Sequence, residues 1–506
     1  NQDRTVEAIS AFEEVLKRFG ESSEHNLQKC VASALALKAQ GLNMIDRVGE
    51  ALATYDEIVK RYGQVSEASF RERVVEALLE KGNMLDGRGQ KSGAISSYEE
   101  ILKRFGNWTE GELPNLLAKT LIRMGMVLDS VDRTDEALRA YEEVNKRFAE
   151  VPTVALRLPR REALKRLGQR LLSLNRPADA LDAFQKALQI EPKDLGAISG
   201  VGNTLRTTGQ YELAIETFQS LLNINPKYVP GHVLVAEAQF DLGEYTDAAT
   251  SLNQAIILRP ENSQPYLELA ELYRELGEFE HAREACQNAE NARRASALIL
   301  YQKALVETAA RNLPEALRLI DQSLSMPDVN AKVCYTLMGD VHLALGQLDK
   351  AAVCYSKAVE FGSKAANVGL GYLQLIAGQF VEAEANFLKA SKALPLATGP
   401  RFHLAIVYGI TGHQDLADRA FNEVITLFPT NMRPSRVFRR VTALAGLRNY
   451  EQAKKKLSDL ALKIPKLLKT AHDFLDDLEL MSRIPTLQPD SARFRHDVRR
   501  ILGFTD

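Results

Sequence analysis

Cysteine is scarce in this sequence of 506 residues: Cys30, Cys286, Cys334 and Cys354 are all it has. No two form a CxxC pair and no histidine cluster stands beside them at ligand spacing, which argues against zinc ribbons and dithiol redox motifs. They read as small apolar core residues in a reducing compartment, so a cytoplasmic location is the expectation. Proline (18) and glycine (30) are also few, while Ala, Leu and Glu dominate. That balance favours helix, because these side chains lose little rotamer freedom there. Apolar runs such as residues 295–301 are far too short to span a bilayer. The first residues, Asn1-Gln2-Asp3-Arg4, are polar and lead into an amphipathic helix, unlike a secretory leader. A formal net charge of only -2 argues against wholesale coating of nucleic acid.

Chemistry-bearing motifs are missing too. The eight histidines are scattered without an HExxH pair, and there is no GxxxxGK[ST] loop. Gly200-Val201-Gly202 and Gly369-Leu370-Gly371 touch nucleotide-fingerprint spacing, but neither follows a strand, so both read as close-packing positions. Carboxylates lie beside Lys and Arg, as in Glu142-Glu143-Lys146-Arg147, the pattern of a salt-laced helix face. No catalytic residue, metal ligand or cofactor site is expected.

What is present is a repeat. Alanine, an aromatic four residues on and a small or aliphatic residue seven residues on recur at Ala8-Phe12-Val15, Ala51-Tyr55-Ile58, Ala94-Tyr98-Ile101, Ala137-Tyr141-Val144 and Ala180-Phe184-Ala187. The spacing is 43 residues each time, then 34 through Ala214, Ala248, Ala282 and Ala316, continuing at Ala351, Ala383, Ala417 and Ala453. Residues three, four and seven apart share one helical face. A small residue stands twelve positions before the alanine, as at Gly82, Gly125, Gly168, Gly202, Gly339 and Gly371. Glycine inside a helix costs about 1 kcal/mol against alanine, so its recurrence implies close packing that offsets the loss. Glycines five before the alanine end the first helix, and Pro192, Pro226, Pro260, Pro429 and Pro465 close the second.

This pattern resembles the tetratricopeptide repeat, a helix-turn-helix unit of 34 residues. The resemblance covers residues 5 to about 465 in thirteen units. It implies an all-α, right-handed superhelical solenoid of antiparallel helix pairs. Residues 1–150 carry long repeats marked by Arg18-Phe19-Gly20, Arg61-Tyr62-Gly63 and Arg104-Phe105-Gly106; residues 151–465 carry the short form. Residues 466–506 read as two capping helices, the last opened by Pro489-Asp490-Ser491. The first unit begins at its second helix, so more sequence upstream is expected.

The resemblance also implies a concave face lined by the first helix of each unit and a role in holding a protein or peptide partner. The family's carboxylate clamp and asparagine ladder are not matched here: Asn203 and Arg206 lack companions in the next unit, and the ladder places hold residues such as Gly200, Leu234 and Glu268. An apolar strip is the candidate groove instead, with Thr336, Asp340, Val368, Tyr372, Leu375, Phe402, Ile406 and Phe438 as its residues. The competing reading is that the helices around Leu467 to Leu480 fold back and fill it. A second candidate is the basic end. Residues 430–506 carry an excess of +7, concentrated at Arg433, Arg436, Arg439 and Arg440. It reads either as a solvated end or as a dock for an acidic partner or a nucleic-acid phosphate backbone. An opposite patch lies at Glu268, Glu271, Glu275, Glu278, Glu280 and Glu284. In repeat nine, Lys303 and Glu307 occupy places for large apolar residues, which suggests a rotated helix with Tyr301 in the core. The function expected is a non-catalytic interaction scaffold or sensor arm. The alternative is a recognition arm of a larger, bacterial-type multidomain enzyme whose catalytic domain lies upstream.

Overall fold

In a computed structural model the described residues form 27 α-helices and no strand, numbered in chain order from α1 (Gln2–Phe19) to α27 (Asp490–Ile501). The structure describes residues 2–65, 67–108, 111–149, 154–292, 296–427, 430–464, 466, 470–488 and 490–502. Pro429, Pro465, Leu467 and Pro489 lie outside them. Two compact units are present, Asn1–Gly200 and Val201–Asp506.

Each repeat folds as an antiparallel helix pair for the reason its small residues suggest. In the pair α4 (Ala68–Gly87) and α5 (Lys91–Phe105), Ala94, Tyr98 and Ile101 are fully buried. A Cβ on Gly82 would come within 2.4 Å of the Tyr98 ring, so glycine is what lets the aromatic seat against the backbone. Gly369-Leu370-Gly371 shows why two glycines stand two apart. Gly369 packs on Tyr355 of its own preceding unit and Gly371 on Phe387 of the next helix, with virtual Cβ contacts of 2.4 and 2.8 Å. The glycine pair is a stacking element between repeats.

From Ala51 onward, the residue five before each key alanine takes a left-handed conformation. Glycine supplies it at seven such turns, Gly89 and Gly209 among them, and Asp46, Asp132, Asn175, Arg311 and Arg448 adopt it without that freedom.

The two units differ in helix length. In the first, α2 (His25–Met44), α4, α6 (Leu113–Ser130) and α8 (Val154–Ser173) have 18 to 20 residues. In the second, first helices such as α12 (Val229–Leu242) and α14 (Ser263–Glu275) have 13 or 14. The extra residues of the long period therefore lengthen mainly the first helix. The change falls after α9 (Pro177–Ile190), one hairpin beyond residue 150, because α8 is still of the long form.

The Arg-aromatic-Gly marks have a structural job. Arg61 donates to the Gly20 carbonyl (2.9 Å), Arg104 to Gly63 (2.9 Å) and Arg147 to Gly106 (3.0 Å). Each guanidinium thus satisfies a carbonyl at the end of the preceding unit's second helix, where intrahelical partners run out. Glutamates one turn back, Glu57, Glu100 and Glu143, hold these arginines in place.

Candidate partner-binding site

Within Val201–Asp506 the chain meets itself across a long sequence separation. The non-helical segment Asn431-Met432-Arg433 enters α24 (Pro434–Gly446) and clasps α12 and the turn that follows it. The hub is Asp241, only 6% exposed. Its carboxylate accepts from Asn431 Nδ2 (3.0 Å), Arg433 Nε (2.5 Å) and Arg206 Nη1 (3.3 Å), while its carbonyl accepts from the Met432 amide (2.7 Å). Tyr245 Oη donates to the Met432 carbonyl at 2.7 Å, and the Arg433 guanidinium lies 4.4 Å over the Phe240 ring. Arg433 also reaches Glu271 (3.1 Å), Ser435 donates to Glu275 (2.9 Å) and Thr430 to the Gly209 carbonyl (3.1 Å). A buried carboxylate needs this many donors, since an unpaired charge away from water is strongly unfavourable.

Beside the clasp lies a cavity of about 600 Å³, within the range of ligand sites. One wall is acidic, with Glu237 from α12 and Glu268, Glu271 and Glu275 from α14; the other carries Arg433, Arg436 and Arg439 of the α24 region. Arg206 pairs with Glu237 at 2.7 Å. Glu268 has a glutamine neighbour, Gln264, at 2.5 Å. Burial pushes the Glu268 carboxyl up to about 7, with Glu237 and Glu271 adding like-charge repulsion. Burial and the neighbouring Arg433 lower the pKa of Arg436, which faces the same space.

The basic end is therefore not an open patch. Arg433 is paired with Asp241 and Glu271, Arg439 with Asp477 (2.7 Å), and Arg440, 3% exposed, donates to the Asn431 carbonyl. Arg436 is half-buried on the cavity wall. The acidic patch of α14 and the arginines of α24, far apart in sequence, are the two walls of one site.

The apolar strip is likewise not open. Leu375, Phe402, Ile406 and Phe438 are buried in one core with Phe474, Leu478 and Met481 of α26 (His472–Met481). Val368 and Tyr372 are half-buried against the same core. Thr336 bonds to the Lys332 carbonyl (2.7 Å) and to Ser363 (3.0 Å), and only Asp340 is exposed, accepting from Tyr355 Oη at 2.7 Å. The physical reason is plain: an apolar strip on a folded chain is covered when the same chain can supply an amphipathic helix.

Repeat nine keeps its polar residues by pairing them. Glu307, 8% exposed, receives Arg283 (2.7 Å) and Asn312 (2.9 Å), and Lys303 reaches Glu290 (2.5 Å). Tyr301 is half-buried against the local core. Cys286 takes the aromatic's place in its unit, fully buried, and burial pushes its thiol up to about 12.

Sequence reasoning noted both charged patches and missed their junction. Asp241 carried no signal beyond being a carboxylate beside the turn glycine Gly243. Among the described residues no group of three or more His, Cys, Asp and Glu could hold a metal ion, and no helix is long and apolar enough to cross a membrane.

Stacked helix pairs with this glycine-aromatic packing define an α-solenoid, a fold that generally serves as a non-catalytic interaction scaffold. Models of the tetratricopeptide repeat match residues 122–194 and 234–297, 171–238, and 333–361. Residues 122–297 and 333–361 therefore carry tetratricopeptide repeats. The chain is similar to the crystal structure of the APC/C hetero-tetramer Cut9-Hcn1, at 14% identity and a TM-score of 0.50 over 98% of this chain and 93% of that one. It also resembles yeast Tom70 (15% identity, TM-score 0.48, 77% and 96% covered). A tetratricopeptide repeat protein from Parabacteroides merdae is another likeness (18%, 0.43, 53% and 98%). At these identities the likeness is one of fold. No curated protein matches by sequence.

Proposed function

We propose that this interaction scaffold receives an extended segment of a protein partner, carrying a cationic side chain beside an acidic one, in the charged cavity of residues 201–506. The observation that carries the reading is the acidic wall. Glu237, Glu268 and Glu271 crowd together, and the Glu268 carboxyl sits near 7 because burial and its acidic neighbours disfavour its charge. A lysine or arginine side chain entering there would give Glu268 the cation that Arg206 and Arg433 already give Glu237 and Glu271, and the opposite arginines would meet an acidic group on the same segment.

Fluorescence anisotropy with short labelled peptides, each carrying one arginine beside one glutamate, tests this. Glu268→Gln is expected to weaken binding about tenfold, the scale of one charged contact. Peptides with norleucine in place of the arginine should bind no better to wild type than to the variant. The pH dependence has a definite sign. A cation binds the ionised carboxylate, so affinity holds above pH 7 and falls as pH drops through about 7, where Glu268 must first lose a proton. Equal binding of arginine and norleucine peptides, or a flat pH profile, would overturn the reading.

A further inference from the structure

The two walls of the charged cavity belong to two different cores. The acidic wall stands on α12 and α14, which pack in a core with Phe240, Leu252, Leu269 and Leu272. The basic wall stands on the α24 region, whose core holds Phe402, Phe438, Val441 and Leu457. Among the described residues, Tyr245 and Leu276 are the two that lie against both cores. What joins the walls is chiefly polar: the Asp241 hub, the pair from Arg433 to Glu271 and the bonds from Ser435 to Glu275. Further along, Lys466 reaches Glu278 at 3.5 Å. Each such contact replaces one with water and contributes little net, and partly exposed ion pairs contribute less. A junction that removes so little apolar surface from water opens more easily than either core unfolds.

The clasp has a side that faces the cavity and a side that does not. Asp241, Asn431 and Arg433 line the cavity, whereas Met432, Tyr245 and Thr430 are not on its wall. Away from the wall run the bonds of the Met432 amide to the Asp241 carbonyl (2.7 Å), of Tyr245 Oη to the Met432 carbonyl (2.7 Å) and of Thr430 to the Gly209 carbonyl (3.1 Å). Met432 sits close on the left-handed Gly243, where a Cβ would come within 2.9 Å of its side chain. That glycine serves the junction as well as its own turn. The Met432 amide therefore reports closure at a place that an occupant of the cavity does not line.

A segment with a cation beside a carboxylate meets Glu268 on one wall and the arginines on the other. Only the closed form offers both at once. A ligand that binds one form of a two-state element better than the other shifts the equilibrium by that difference, and the effect is reciprocal.

Resting on the binding reading given above, we infer that the junction of Asp241 with Asn431-Met432-Arg433 is a latch: residues 201–506 open and close there, and a segment bound between the two walls holds it shut. Capture of the partner and closure of the fold are then one linked equilibrium. Weakening the latch on its far side weakens capture, and capture protects the latch.

Hydrogen exchange of the Met432 amide reads the latch in the full chain. Without peptide it should exchange faster than amides inside α12 and α24. Tyr245→Phe keeps the ring against Phe240, with centroids 5.9 Å apart, and removes the hydroxyl. Exchange at Met432 should then rise about fivefold to tenfold, the scale of one hydrogen bond. Thr430→Val, which drops an exposed bond and guards against loss of fold in the first variant, should raise it about threefold. The probe is the labelled peptide with one arginine beside one glutamate. At about twenty times its Kd it should slow Met432 exchange about twentyfold in wild type and in both variants, because it binds the closed form. A peptide with glutamine in place of the glutamate reaches one wall only, and at the same saturation should leave this exchange unchanged. Equal slowing by the two peptides, or no slowing where anisotropy shows the first one bound, would overturn the latch and leave the binding reading standing. No binding of the first peptide overturns that reading and the latch with it. Protection lost evenly over residues 201–506 in both variants also overturns the latch, since the junction would then be part of one core.

Discussion

The two units are built from one repeat and held by different means. In Asn1–Gly200, side-chain bonds between hairpins span about one repeat, as in Arg147 to Gly106 and Arg88 to Asn43, 41 and 45 residues apart. In Val201–Asp506, Asn431, Arg433 and Thr430 reach partners 190, 192 and 221 residues away. A solenoid with only neighbour contacts behaves as a one-dimensional chain in which each repeat adds its own stability and that of one interface. A unit whose distant repeats are bonded pays loop-closure entropy once and gains cooperativity. The lesson is that identical local rules produce either a fraying array or a closed body, and a few polar side chains decide which.

Asp241→Ala is expected to have the largest effect on that difference. It leaves Arg206 and Arg433 without their shared carboxylate and strands Asn431, a buried network whose breakage costs about 3–5 kcal/mol. Hydrogen exchange should then show repeats near α12 and α24 opening independently, as in the first unit, while residues 1–200 keep their protection. Unchanged protection at α12 and α24 would show that the clasp does not make the unit cooperative.

A glycine substitution made once in each unit sharpens the same contrast. In Gly371→Ala the new methyl meets the Phe387 ring at 2.8 Å, and in Gly125→Ala it meets Tyr141 at 2.5 Å. Overpacking of this kind costs about 1–3 kcal/mol, more than the helix propensity gained. The local cost should be similar in both, but its reach should differ. Gly125→Ala should expose only the hairpins on either side; Gly371→Ala should lower the melting of all of residues 201–506 together. A calorimetric scan with exchange data on both variants checks this.

The fold was legible because it is written locally. Ala94, Tyr98 and Gly82 lie within one hairpin, and their spacing alone dictates which faces meet. The turn five residues before each alanine could be read from its glycines, although Asp46, Asn175 and Arg448 show that the backbone keeps its shape where glycine is absent. The candidate site was legible only in its parts. The α14 glutamates and the α24 arginines both stood out as charged patches, but no periodicity connects residues 160 or more positions apart, so their meeting had no local trace. The strip from Tyr372 to Phe438 was correctly apolar, yet apolarity does not say who covers it. That depended on Phe474, Leu478 and Asp477 in a segment outside the repeat. The arginine marks of the long repeats were visible as a pattern and silent as to purpose, since their target is a backbone carbonyl that every residue has.

Arg104→Ala tests that pattern. The side chain donates to Gly63 and pairs with Glu100. Loss of one charged hydrogen bond at a half-exposed site should cost about 1 kcal/mol. The effect should appear as faster exchange at the end of α3 (Val48–Tyr62), with residues 201–506 unaffected. An effect spread evenly over the first unit would contradict the neighbour-only picture.

The smallest expected effect concerns the left-handed turns. In the first unit these positions hold Asp46, Asp132 and Asn175 beside one glycine, side chains that tolerate the conformation; the second unit relies on glycine and breaks that habit at Arg311 and Arg448, both with φ of 61°. A long side chain there costs about 1–2 kcal/mol relative to a right-handed residue. Arg448→Gly removes that strain and gives back about 0.5–1 kcal/mol through the greater entropy of the unfolded glycine. It also loses the 3.3 Å hydrogen bond to the Thr486 carbonyl, which is exposed and weak. The balance is a gain of about 0.5 kcal/mol. Arg448→Asn should gain slightly more, because asparagine adopts the turn without glycine's entropic penalty. If instead both substitutions lower the melting temperature of residues 201–506, the bond from Arg448 to Thr486 holds the segment after α26 more firmly than its geometry indicates. The ordering of glycine, asparagine and arginine at this one turn therefore measures how far the closed unit depends on its last tether.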